Sequence, residues 1–160
     1  MDILAVPLQI PADANVIVGQ SHFIKTVEDL AEIVVTTVPG AKFGLAFCEA
    51  SGPCLIRTEG NDDALIASAI DNAQRVGAGH CFFLLLRGAY PINLLPAIKQ
   101  CQEVCHVFCA TANPVQILVA GSEQGRGVLG VIDGNSPKGV EDDAAKAARR
   151  EFLRLIGYTR

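Results

Sequence analysis

Residues 80–86 (HCFFLLL) hold the longest unbroken apolar run of the chain, Cys81 to Leu86. A strand with one solvated face alternates apolar and polar side chains. This one does not, so it is expected to be covered on both faces and to lie centrally in a sheet. The run is six residues long, whereas a membrane-spanning helix needs about twenty, so no membrane span is expected. Covering both faces requires further apolar elements, and half of the 160 residues are apolar while 19% are charged. That length and balance fit one domain, residues 1–160, with a substantial core. Trp is absent and Met occurs once, so aliphatic side chains must build most of that core.

Elements of two periodicities surround the central strand. Strands are predicted over 3–10, 15–19, 43–49, 54–58, 106–110, 115–120 and 127–132. Pro7 assigns the first to a sheet edge or a bulge. Helices are predicted from Thr26 to Val38, from Asn61 to Val76, over 91–104 despite Pro96, and from Glu141 through Arg154. Thr26 and Asn61 read as N-caps, and Gly77 as a stop signal. The first helix would bury Val27, Leu30 and Val34, the second Leu65, Ile66, Ala69, Ile70, Ala73 and Val76. The last would turn Ala145, Ala148, Phe152 and Ile156 inward. Hairpin-length loops such as 50–53 join some neighbours. The expected class is therefore α/β of the α+β kind, a single compact domain with a mixed β-sheet and packed helices, not a doubly wound parallel sheet.

The net charge is −4, from 13 basic and 17 acidic residues. This argues against nucleic acid or an anionic membrane as partner, both of which select a basic excess. A local cationic pocket for a small phosphate ligand remains compatible with it. The opening MDIL has no basic segment or small-residue cleavage site. The six cysteines are accordingly expected as reduced thiols in a cytoplasmic protein. Cys101, Cys105, His106 and Cys109 lack the C-x2-C knuckle of zinc modules and would not converge across a helix-to-strand junction, so they read as core thiols.

Groups able to carry chemistry near neutral pH are few. His22 lies between a strand and a helix start, with Lys25 three residues on. Free backbone N–H groups and an ammonium there suit an anion, and the imidazole could accept a phosphoryl group. It equally fits a loop residue bonding a carbonyl. His80 follows Gly77 and Gly79, which allow close approach of backbone or ligand. It equally fits a strand end satisfying a carbonyl. Arg126 and Lys138 stand in glycine-flanked loops suited to phosphate or carboxylate. Asp133 fits a metal or ribose ligand and also an Asx-turn, while Asn113 stands in a polar turn at a strand end. Neither a Walker loop nor a dinucleotide-binding glycine fingerprint is present.

Taken together, the ordered segments 19–30 (GQSHFIKTVEDL), 77–80 (GAGH), 91–93 (PIN), 108–114 (FCATANP) and 123–141 (EQGRGVLGVIDGNSPKGVE) resemble the adenosine-specific kinase family from about residue 2 to Tyr158. The resemblance implies a compact α/β protein, a trimer-based homo-oligomer that binds adenine nucleotides such as AMP, with ADP or ATP as further ligand or donor. It implies a histidine that carries a phosphoryl group. His22 and His80 both stand in the matching segments and His106 does not; the surroundings of His22 place it first and His80 second. By the same motifs Lys25, Asn113, Arg126, Asp133 and Lys138 become nucleotide contacts. Mg2+ would accompany an ATP donor, although no dedicated metal site is visible. A nucleotide sensor without turnover and a purely structural oligomer are the alternatives.

Overall fold

The computed structural model describes residues 1–160. Eight strands and four helices follow in the order β1 (Asp2–Pro7), β2 (Asn15–Ser21), α1 (Thr26–Thr37), β3 (Lys42–Cys48), β4 (Ile56–Gly60), α2 (Asp63–Val76), β5 (Cys81–Arg87), α3 (Pro91–Gln100), β6 (Val104–Thr111), β7 (Val115–Gly121), β8 (Arg126–Asp133) and α4 (Asp143–Leu155). The strands form a five-stranded sheet, β4-β3-β5-β2-β6, and a three-stranded sheet, β1-β7-β8. The α+β class stands. In place of one mixed sheet there are two, and every pairing between named strands is antiparallel.

The apolar run forms β5, the middle strand of the larger sheet. Successive side chains of a strand point to opposite faces, and both faces are covered. Phe82, Leu84 and Leu86 meet α1 and α3 through Val27, Leu30, Val34, Leu94 and Ile98. Cys81, Phe83 and Leu85 meet α2 and the smaller sheet through Leu65, Ala69, Ala73, Ile117 and Val119. The layers are thus a helix pair, the large sheet, then α2 beside the small sheet. β1 is an edge strand ending at Pro7, where a missing N–H costs nothing.

Close approach of α2 to the sheet depends on Gly44, because a Cβ there would collide with the backbone of Leu65 and Ile66. Gly77 ends α2 in the left-handed conformation, φ 61°, and its N–H bonds Ala73 O at 2.9 Å.

Several local expectations shift. The α2 cap is Asp62, whose carboxylate accepts from Leu65 N at 3.0 Å. Asn61 instead bridges strand ends, accepting from Phe43 N and donating to Ala41 O. Lys25 occupies the cap position of α1. Thr26 begins the helix and is buried, its hydroxyl donating to Phe23 O at 2.6 Å. The third helix stops at Gln100, and residues 101–104 turn into β6. Ile66 and Ile70 are half-buried. The inward stripe expected on α4 is not covered: that helix has no buried residue, and Ala145, Ala148, Phe152 and Ile156 are all exposed. No helix is long and apolar enough to cross a membrane.

Candidate functional site

His80 immediately precedes β5 in a left-handed conformation, φ 61°. For a residue with a Cβ this costs about 1 kcal/mol, and strain of this kind persists where surroundings over-determine it. The surroundings do so here. His80 N–H donates to Cys48 O at 2.7 Å, and His80 O accepts from Ser21 N at 2.9 Å. The chain is pinned between β3 and β2, and the ring is carried out over Phe47, on which it stacks at 5.7 Å.

Its Nε2 faces Glu49 Oε1 at 3.5 Å. Glu49 is the most heavily bonded acid in the chain. Its Oε1 accepts from Ala50 N, Ser51 N and Ser51 Oγ at 2.9, 3.2 and 3.0 Å. Its Oε2 pairs with Arg57 Nη1 at 2.7 Å. The Ser51 hydroxyl, then backbone N–H groups and the Arg57 charge, hold its carboxyl below the usual range. Arg57 Nη1 also donates to Ile24 O at 3.1 Å, tying the carboxylate to the segment before α1. Glu49 and Arg57 do not stand out in the sequence, since a strand-end acid and a strand arginine are ordinary surface residues. Pairing of β3 with β4, Phe47 opposite Arg57, brings them together.

A cavity of about 700 Å3 opens beside this cluster, between α2 and the small sheet. Glu49, Ala50 and Gly79 form one rim, Ile56, Ala73 and Ala78 an apolar wall, and Gln74, Ser122, Gln124 and Arg126 the polar remainder. The His80 ring is not part of the lining; it stacks on Phe47, which packs on the helix-pair face of the sheet, and meets the cavity through Glu49. Arg126 Nη1 caps the end of α2 through Arg75 O at 3.1 Å and Val76 O at 3.4 Å. This places a cation against the negative end of a helix dipole and leaves Nε and Nη2 without a partner in the chain.

The remaining sequence candidates divide. His22 is exposed; its N–H donates to Glu103 O at 3.1 Å, one step along the chain from the Ser21 that bonds His80. Lys25 pairs with Asp29 at 3.4 Å. Asn113 Nδ2 donates to Asp133 Oδ1 at 3.2 Å, joining the two turns at the far end of the small sheet. Asp133 and Arg126 are opposite ends of the eight-residue β8, about 23 Å apart at strand rise. Lys138 lies in the exposed loop before α4 and makes no ion pair. Within one chain Arg126 lines the cavity, His80 adjoins it through Glu49, and His22, Lys25, Asn113, Asp133 and Lys138 lie outside its lining.

The family model described as adenosine specific kinase matches residues 6–159. The chain belongs to the adenosine-specific kinase family. It is also similar to the solved PH1918 protein from Pyrococcus horikoshii OT3, with 45% sequence identity and a TM-score of 0.95 over 99% of this chain and 98% of that one. No curated protein matches it. The adenosine-specific kinase membership supports a small nucleotide as ligand and leaves the roles of individual residues to the geometry.

Proposed function

We propose that this chain is a phosphotransferase acting on adenosine, in which His80 carries the phosphoryl group. One observation carries the choice of His80 over His22: a strained histidine, pinned through both backbone groups, with one ring nitrogen 3.5 Å from a carboxylate that lines the cavity beside α2. His22 has an exposed ring and no such support.

With its proton on Nε2, toward Glu49, the neutral imidazole offers Nδ1 as nucleophile. Nδ1 attacks the terminal phosphorus of ATP; the N–P bond forms as the P–O bond to ADP breaks. A hydroxyl of adenosine then attacks the same phosphorus. The N–P bond breaks, AMP leaves, and the hydroxyl proton passes to solvent. Glu49 stabilises the ring while it is positively charged, as a positioning carboxylate does elsewhere. The free Arg126 donors suit phosphate oxygens, and the wall of Ile56, Ala73 and Ala78 suits a purine face. Both oxygens of Glu49 are already engaged, so Mg2+ would arrive on the nucleotide as part of the substrate.

Apolar exposure on the small sheet and α4 supports self-association; the trimer-based form is what the family resemblance implies. Leu129 is 60% exposed, Phe152 58% and Leu155 81%. Asn113, Asp133 and Lys138 would then reach nucleotide only from a neighbouring copy. A cytoplasmic setting accords with six free thiols.

Calorimetry with AMP tests the ligand. Saturable binding is expected, at least tenfold weaker in Arg126→Ala. Absence of AMP binding to the parent chain would end the proposal, and binding without phosphate transfer would make the protein a sensor. Light scattering should give a multiple of 16.9 kDa; a monomer mass would remove the oligomer.

A further inference from the structure

On the helix-pair side of the large sheet, away from the cavity just described, Asp29 of α1, Cys101 at the end of α3 and Glu103 before β6 bring one ligand atom each within 4.8 Å of one another. The tight turn closed by Val104 N to Cys101 O, 3.1 Å, presents Cys101 and Glu103 together. Glu103 is only 2% exposed, and its Oε1 is buried with no hydrogen-bond partner. An unpaired buried carboxylate oxygen is unfavourable unless something cationic or protic meets it. Lys25 pairs with Asp29 at 3.4 Å while remaining 62% exposed and makes no ion pair with Glu103; the Cys101 thiol lies against the Glu103 carboxylate but leaves Oε1 unpaired.

We propose that Asp29, Cys101 and Glu103 form a site for one divalent cation of the Zn2+ class. One thiolate with two carboxylates suits a borderline-soft ion better than Mg2+ or Ca2+, which take oxygen alone. Tetrahedral zinc would draw the three atoms to about 3.5 Å from one another, a rotamer-scale contraction. The fourth position opens to a cavity of about 390 Å3 between α1 and α3, rimmed by Glu32, which gives an entry path. On binding, two O–Zn bonds and one S–Zn bond form, the Cys101 thiol proton goes to solvent, and the Lys25 ammonium is released from Asp29. No oxidation or reduction occurs. Because Glu103 O accepts from both His22 N and Ser21 Oγ at 3.1 Å, the ion would brace the segment leading into α1.

The test uses the full chain carrying Cys54→Ser and Cys105→Ser, which removes the two exposed thiols. Co2+ is titrated and the thiolate-to-cobalt charge-transfer band is followed. One equivalent should saturate it, and one equivalent of Zn2+ should bleach it. Cys101→Ser should abolish the band. Asp29→Asn, a substitution at a half-buried position, should weaken binding at least tenfold with an unchanged circular dichroism spectrum. If the band never appears, or if it survives Cys101→Ser, these three residues hold no ion and the proposal falls.

Discussion

The Glu49–Arg57 pair supports His80, and its strength is measurable by a double-mutant cycle. The pair is a single charge-assisted bond of 2.7 Å between side chains 9% and 32% exposed. Fully exposed pairs contribute about 0.2–1 kcal/mol, and hydrogen bonds to charged groups about 1.5–3 kcal/mol. The half-buried setting places this coupling between them, about 1–2 kcal/mol. Glu49→Gln keeps an amide oxygen for the Ala50 and Ser51 donors but turns a donor toward Arg57. Arg57→Met keeps the stem and loses both the carboxylate and Ile24 O; the second loss belongs to the single variant and cancels in the cycle. At roughly 2–4 °C per kcal/mol for a chain of this size, the coupling amounts to about 2–8 °C in Tm by circular dichroism. Acid should show the same group. The carboxyl titrates below its ordinary 4.5, so its contribution is complete above that pH and is lost as pH falls through the lower folded value. Glu49→Gln should flatten that part of the stability curve. A coupling under about 0.3 kcal/mol, or an acid limb unchanged in Glu49→Gln, would refute this account of the carboxylate, since a bond of this geometry is worth more than that.

Three further outcomes follow from the packing. Asn72 is fully buried and bonds both Gln9 N and Gln9 O, at 2.7 and 2.8 Å. Asn72→Ala should cost about 2 kcal/mol, read as a fall of about 4–8 °C in Tm; a smaller loss than 1 °C would mean that water replaces both bonds. Gly44→Ala forces α2 off the sheet and should cost about 3 kcal/mol, seen as lower urea midpoints. A near-neutral result would contradict the close approach. Burial pushes the thiols of Cys48 and Cys109 up to about 11 and that of Cys81 to about 12. A disulfide reagent at neutral pH should therefore label exposed Cys54 and Cys105 quickly and these three only on unfolding; fast labelling of five would refute the burial.

Much of the fold is legible in local sequence. The uninterrupted apolar run of β5 announces its central place, and Gly77 announces the end of α2. The division into two sheets is not legible, because strand partners are chosen by contacts far apart in sequence, and β1 finds β7 across more than a hundred residues. Neighbouring residues of equal capping chemistry hide the choice of Asp62 over Asn61. The stripe on α4 follows from its periodicity, but periodicity does not say how fully a neighbouring element covers it, and Phe152 and Ile156 border only an open cavity against α3. For the site, His80 and Arg126 are visible through the glycines beside them. Glu49 and Arg57 are invisible because strand register alone joins them, and the left-handed backbone of His80 emerges only from its two pinning bonds.

The central claim is that His80 accepts phosphate. The chain is incubated with ATP labelled at the terminal phosphate, quenched in alkali, and counted for acid-labile label in the parent, His80→Ala and His22→Ala proteins. Label should appear in the parent, persist in His22→Ala, vanish in His80→Ala, and pass to AMP when adenosine is added. Full labelling of His80→Ala would contradict the account.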